Sequence, residues 1–521
     1  MKTTSAITAS QAIILVIILA VAIVGGYMYY QTTIPAAPLI IGTTDKITVL
    51  DPAKSYDFYT WEVFNNIGEG LLRYKSGTTE IQPGLAESYT VSPDGREYTF
   101  KLRKGLKFTD GQPLNAEVVK WSIDRVMDLD LDPAWLVTEF VDHVEVVDEY
   151  TVKFVLQAPA GFFPALVAMN PPYFPISPKS WPADRAEDST TGIGPYRVVE
   201  WTRDVELVLE ANPDYWGPAP KTKNLVIRFF KDAATMRLAV EKGEIDVAWR
   251  TIGPADIQDI KKKGELSVIE APGPYIRYLI VRCDRPPFDD VRLRQAVAAA
   301  VDRSAITETV FLGTATPLYS MVPIGMWSHI DGFKDKYGER NLDLSRSLLR
   351  DAGYSETNPF EFELWWTPTH YGDTEKDVAS VLKESLEETG MMKVNLKSAE
   401  WATFAAEYII QGTMPIFLLG WYPDYLDPDN YVASFIATDP EDYGLGTFYY
   451  NPSLLAKVRQ ARSETDMAKR TDLYKEIQVT FAEEVAQIPL FQGKLTAVTR
   501  PGVKGVVINP YLLLDYFLIY K

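Results

Sequence analysis

From Ala12 to Tyr30 the chain reads AIILVIILAVAIVGGYMYY, nineteen residues without a charge. At a rise of about 1.5 Å per residue, such a helix comes close to crossing a hydrocarbon core ~30 Å thick. Tyr27, Tyr29 and Tyr30 supply an aromatic end for the membrane interface. Lys2 is the one positive charge ahead of the run, which votes for a cytoplasmic amino terminus. A cleaved signal peptide is the rival reading. The run is longer than an h-region of roughly 7–15 residues, however, and no small-x-small cleavage site follows it. No cysteine follows closely either, so lipid attachment through a cysteine is not on offer. Residues 1–30 are therefore read as an uncleaved anchor and 31–37 as a stalk. Beyond residue 38 no run reaches about 18 apolar residues, so the remainder must bury its core in soluble modules on the outer face of the cytoplasmic membrane.

That remainder is long. With 521 residues in all, and roughly 100–200 per domain, two to four modules are expected. A 46% hydrophobic, 12% aromatic composition belongs to a globular chain. Seventy acidic against 52 basic residues leave a formal charge of −18, which argues against nucleic acid as a partner. A lone cysteine, Cys283, excludes an internal disulfide framework and any multi-cysteine metal centre. Glu97–Leu102 and Tyr150–Leu156 alternate as strands. Asn115–Val126 carries Val118, Val119, Ile123 and Val126 on one helical face, and a second helix is expected over Val291–Val310. Proline-rich breaks at Pro171–Pro182, Pro218–Pro220 and Pro272–Pro287 mark candidate boundaries in a mixed α/β fold.

The chemistry that would make an enzyme is missing. His143, His329 and His370 stand apart, so no zinc spacing exists. Walker A and G-x-S-x-G patterns are absent, and the S-x-x-K at Ser380–Lys383 lacks companion motifs. The acidic residues Asp424, Asp427 and Asp429 lack the glycine and closing glutamate of a calcium loop. A binder without cofactor or metal is the reading that remains.

Several blocks carry a resemblance. Leu50-Asp51-Pro52, Glu69-Gly70-Leu71 and Pro83–Ser88 lead into SPDGREYTFKLRKGLKFTDGQPLNAEVVKWSIDR, Ser92–Arg125. Gly192–Tyr196, Asn212–Gly217, Pro287–Ala296 and Gly420–Pro428 (GWYPDYLDP) follow in order. From about residue 39 to 521 the chain resembles the extracellular solute-binding proteins of dipeptide and oligopeptide ABC importers. Physically, Asp94-Gly95 and Asp110-Gly111 are turn dipeptides, so the longest block reads as scaffold, and Arg292 and Arg294 are expected on the wet side of their helix or paired locally.

The resemblance implies an α/β fold of two lobes that close around ligand, with an extra α+β domain inserted in the first. It places the first lobe at 38–58, 189–275 and 486–521, the extra domain at 59–188, and the second lobe at 276–485, with chain crossings near 275 and 485. Asp424 would receive a peptide's ammonium group, Trp421 and Trp401 would line the pocket, and Arg282 would meet a ligand carboxylate or point to solvent. A turn role for Asp424 and a core role for the tryptophans are the plain readings of the same residues. Independently of the resemblance, the apolar run Met414–Gly420 reads as a buried strand, and ligands favour the carboxyl ends of strands in open α/β sheets. The implied partners are a short peptide or, as runner-up, an oligosaccharide, and permease subunits with cytoplasmic ATPases. A surface peptide receptor without a transporter is the other alternative.

Overall fold

The computed structural model describes residues 37–521 except 369, 373, 408–411 and 440–443. The expected anchor at Ala12–Tyr30 lies outside the described residues, and among those no helix is long and apolar enough to cross a membrane.

In chain order the strands are β1 (Leu39–Thr43), β2 (Leu72–Tyr74), β3 (Ile81–Pro83), β4 (Ala86–Val91), β5 (Glu97–Leu102) and β6 (Val141–Asp148). Next come β7 (Thr151–Leu156), β8 (Tyr196–Thr202), β9 (Glu206–Ala211), β10 (Asn224–Phe229), β11 (Val247–Trp249) and β12 (Ser267–Val281). The last are β13 (Ala315–Pro317), β14 (Phe360–Trp366), β15 (Met392–Ser398), β16 (Ile416–Trp421) and β17 (Gln487–Thr499). One sheet runs through the molecule in the order β15-β14-β16-β12-β17-β11-β1-β10-β9-β8. Its two ends are the hearts of two lobes. The long strands β12 and β17 form the antiparallel ribbon between them, and their ladder is interrupted between Pro272 and Ile276, opposite Lys494 and Gln492. Gly493 sits at that interruption because the Tyr275 ring fills the space a Cβ would take, 1.9 Å away.

A separate antiparallel sheet runs β4-β5-β7-β6. Gly95 turns β4 into β5 with φ 71°, a value that suits glycine. The helix Ala116–Leu129 begins where the Asn115 side chain accepts the Val118 amide at 3.0 Å, and it buries Val118, Val119, Ile123 and Val126. Arg125, near its end, grips Asp51 of the Leu-Asp-Pro block with two bonds of 2.9 and 2.6 Å, both side chains being buried. Two of the sequence blocks are thus halves of one ion pair.

Two local expectations need correction. The helix foreseen over Val291–Val310 ends at Ala300, and the Asp302 side chain accepts the Ala305 amide to start Arg303–Ala305 and a wide turn, Ile306–Val310. A side chain that caps a new turn competes with the continuing ladder, and here it wins. Arg292 stays at the surface with Asp290, but Arg294 is buried, donating to the Phe288 and Glu484 carbonyls.

Candidate functional site

Strand direction decides where side chains converge. In the first lobe β1 runs parallel to β10 and to β11, and in the second β14 runs parallel to β15 and to β16. Carboxyl ends of parallel strands leave backbone and loops free to meet a ligand. Those of the first lobe lead into Thr44 and Asp45, and into Arg250 and Thr251. Those of the second lead into His370 and Tyr371, Trp401, and Tyr422–Asp424. Arg250 and Thr251 have φ of 61° and 57°, left-handed values that are costly for a β-branched threonine. They are held there by Arg250 bonding Glu62 and the Leu512 carbonyl and by a 2.8 Å bond between the Thr44 and Thr251 hydroxyls.

The lobes meet at Asp424. The Tyr56 hydroxyl, from the first lobe, donates to Asp424 Oδ1 at 2.6 Å, and the Phe58 ring lies 5.9 Å from that of Tyr422. Asn430 braces the loop from beneath: its Oδ1 accepts the Asp424 amide at 3.0 Å and Trp421 Nε1 at 2.9 Å, and its Nδ2 donates to Asp424 Oδ2 at 3.4 Å. Burial is the largest influence on this carboxyl and raises its pKa, while the bonds from Tyr56 and Asn430 pull the other way. Its neighbours differ. Asp427 is paired with Arg470 at 2.7 Å and Asp429 with Arg462 at 3.2 Å, whereas among the described residues no lysine or arginine pairs with Asp424. Of the three acids in this block, Asp424 alone is half-buried without a lysine or arginine partner among the described residues.

Beside it lies an aromatic floor around Arg277. This guanidinium sits 3.9 Å from the Tyr371 ring centre and 5.7 Å from that of Tyr422, with Nε donating to Glu375 Oε1 at 3.3 Å. Arg277 is paired in register with Gly420, and a Cβ there would lie 2.0 Å from Nη1, so glycine leaves the room the guanidinium uses. Tyr371 donates to the Gly420 carbonyl at 3.3 Å, Tyr275 stacks on Tyr422 at 5.1 Å, and the His370 ring lies flat on Trp401 at 3.6 Å. Burial, and secondarily Arg277, keep His370 below its ordinary pKa. Among the described residues no group of three or more His, Cys, Asp or Glu could hold a metal ion.

Asp424 and Trp421 therefore share one braced loop, and Trp401 joins them through Tyr371. Arg282 does not. It lies past the Val281 end of β12, which pairs with Ile416, whereas Trp421 pairs with Ile276 at the other end of the ladder. Six residues of strand separate the two ends, about 20 Å at 3.3 Å per residue. Arg282 is 3% exposed, bonded to Asp284 at 2.7 Å and stacked 3.7 Å over Phe448, so it faces neither the site nor solvent. Tyr56, Tyr371, Tyr422 and Arg277 were missed from sequence. Arg277 left a signal as a charge inside the otherwise uncharged run Tyr275–Val281, and Tyr422 sat within the GWYPDYLDP block.

Comparison with known proteins gives this arrangement its context. The chain is 28% identical over 485 residues to the dipeptide-binding protein of Escherichia coli (strain K12), covering 88% of each. It is 29% identical over 518 residues to di/tripeptide-binding protein 1 of Pseudomonas aeruginosa, covering 92% of this chain and 94% of that one. The structure of HbpA2 from Haemophilus parasuis superposes with a TM-score of 0.84 at 25% identity, over 93% of this chain and 99% of that one. This is the two-lobed periplasmic-binding-protein fold. Residues 80–442 match the model for bacterial extracellular solute-binding proteins, family 5 Middle, and the chain belongs to that family of solute-binding proteins.

Proposed function

We propose that this chain is the substrate-binding component of an ABC importer, capturing short peptides outside the cell between two closing lobes and delivering them to a membrane permease with its ATPases. The observation that carries the reading is Asp424, a carboxylate half-buried at the meeting point of the lobes with no lysine or arginine partner among the described residues. A peptide's ammonium group is the missing partner, and a charge-assisted bond there contributes roughly 1.5–3 kcal/mol. Trp421 and Trp401 would wall the pocket, with Tyr371 and Tyr422 packed on Arg277, whose charge Glu375 balances. The dipeptide-binding and di/tripeptide-binding relatives agree with this choice of ligand. The protein acts by binding, not by catalysis.

The lobes are proposed at 38–58, 189–275 and 486–521 for the first, with the extra domain at 59–188, and at 276–485 for the second. The interrupted ladder at Pro272–Ile276 supports a hinge there. The anchor at residues 1–30 and stalk at 31–37 would hold the protein at the cell surface. A second reading, an oligosaccharide ligand, is favoured by the stacked His370 and Trp401 rings with Tyr371 edge-on to them, since aromatic faces suit pyranose rings. Native mass spectrometry of the purified protein decides: co-purifying masses of two to a few amino acids support the peptide reading. Hexose-spaced masses, with no heat released on titrating di- and tripeptides, overturn it.

A further inference from the structure

The inserted domain touches the second lobe beside the Asp424 loop, where Tyr74 donates to the Leu426 carbonyl at 3.4 Å, and at the end of a helix farther on. The loop after β7, residues 158–162, is pressed on the end of the helix Pro452–Ser463: the Gly161 amide donates to the Arg462 carbonyl at 2.8 Å. Phe162 stacks on Tyr425, the residue after Asp424, at 5.0 Å and 17°, and lies 5.3 Å from the Arg462 guanidinium. Two crevices flank this contact and Phe162 lines both. One, of about 480 Å³, also has Tyr98, Trp327, Met467 and Arg470 in its wall, and the other, of about 350 Å³, has Glu139, Phe140 and Arg459. Phe162 joins the buried cluster that also holds Tyr425, Val458 and Ala461, but with a crevice on either side the contact is a narrow bridge between two bodies.

Gly161 shows which state the contact belongs to. A Cβ there would lie 2.1 Å from the Glu464 carbonyl oxygen and 3.1 Å from Arg470 Nε, with the Glu464 carbonyl carbon next at 3.2 Å. All three nearest atoms belong to the second lobe. An alanine at 161 is therefore penalised when the two bodies are docked and meets none of these atoms when they are apart.

We propose that this bridge is a second closure contact, and that Gly161, Phe162 and Tyr425 are positioning residues that tune ligand affinity without touching ligand. The proposal rests on the solute-binding reading for its effect on affinity, but the docking equilibrium is measurable without any ligand. If only the closed form binds tightly, apparent affinity scales with the closed fraction, so losing one aromatic pair and its cover weakens binding about tenfold.

The test places spin labels at Lys101→Cys and Lys475→Cys, both exposed, with Cys283 half-buried and its thiol pushed up to about 12 by its surroundings. Pulsed dipolar spectroscopy then reads the separation of inserted domain and second lobe, with and without an equimolar mixture of di- and tripeptides. Wild type is expected to hold a docked, short-distance population that grows with peptide. In Gly161→Ala that population shrinks without peptide, and about tenfold more peptide is needed to restore it. Phe162→Ala should do the same, and Gly161→Ala is the cleaner variant because Phe162 also packs on Phe140 within its own domain. Equal distance distributions and equal peptide affinity in wild type and Gly161→Ala would overturn the proposal. So would a wild-type distance that never varies, or one that is never short. Failure of every peptide to bind would sink the peptide reading instead, leaving the ligand-free comparison to judge the bridge.

Discussion

Replacing Asp424 by Asn removes a charge while keeping shape, and the surroundings set what that change costs. The Tyr56 hydroxyl at 2.6 Å can still donate to the Asn oxygen, and Asn430 can still brace the Asp424 amide from below. What disappears is the charge, which partial burial has stripped of some of its water and which no lysine or arginine among the described residues offsets. A bond from ammonium to such a carboxylate is worth roughly 1.5–3 kcal/mol, so peptide affinity should fall about 10- to 100-fold. Acetylating the peptide's amino terminus removes the other half of the same contact and should cost a similar amount. The two losses should not add. Calorimetric titration of wild type and Asp424→Asn, each with free and acetylated peptide, provides the four corners of the cycle. Burial also fixes the pH signature: a carboxyl whose pKa is raised takes up its proton at a higher pH than the usual ~3.9, so affinity should fade on acidification from above that value. In Asp424→Asn that fading should vanish. If all four combinations bind equally well, Asp424 is a turn residue and the ammonium assignment is wrong.

Other perturbations test the frame around this site. Gly420→Ala puts a methyl group where Arg277 Nη1 lies, 2.0 Å from the new carbon, and overpacking of this kind should cost about 1–3 kcal/mol, read as a lower midpoint in thermal denaturation. Asp51→Ala leaves Arg125 buried and unpaired, and urea titration should show a loss of roughly 3–5 kcal/mol. Glu69 is pushed up to about 7, chiefly by burial, with Arg73 and the Trp216 and Tyr215 bonds opposing. Because the folded chain then holds that proton more firmly than the unfolded one, whose Glu titrates near ~4.3, stability should fall as pH rises between those values. Glu69→Gln should flatten that slope in urea titrations at pH 5 and pH 8. Finally, full-length protein should sediment with membranes through Ala12–Tyr30, and recovery of a mature soluble species beginning near residue 31 would refute the anchor.

Sequence reading was strongest where one residue type does one geometric job. Alternation over Glu97–Leu102 and the amphipathic face of Val118, Val119, Ile123 and Val126 appear as expected, because a two-sided environment writes its period into the chain. The Val291–Val310 helix failed since a single capping aspartate outweighs an unbroken apolar rhythm. At the site, the braced loop of Trp421 and Asp424 was visible as a block of unusual residues, but Tyr56 was not. It reaches Asp424 across 368 positions of chain, and nothing local to Tyr56 distinguishes it from any exposed tyrosine. Arg282 misled for the related reason that its position along β12, not its charge, decides which end of the ladder it occupies. Likewise the Asp51–Arg125 pair shows why two distant blocks accompany each other, which either block alone leaves unexplained.

The central ribbon also bears on the order in which the chain can assemble. The second lobe is one excursion that leaves through β12 and returns through β17, so its residues are synthesised consecutively and can pair among themselves as they emerge. The first lobe has no such freedom. Its strand β11 pairs with β17, the Leu514 amide bonds Glu62, and the Tyr516 amide bonds Asn66, so its core waits for the last thirty-five or so residues of the chain. Contacts of such long sequence separation are intrinsically slow to form. A polypeptide whose first lobe cannot close until its carboxyl end arrives therefore carries that lobe open while the second lobe is already folding.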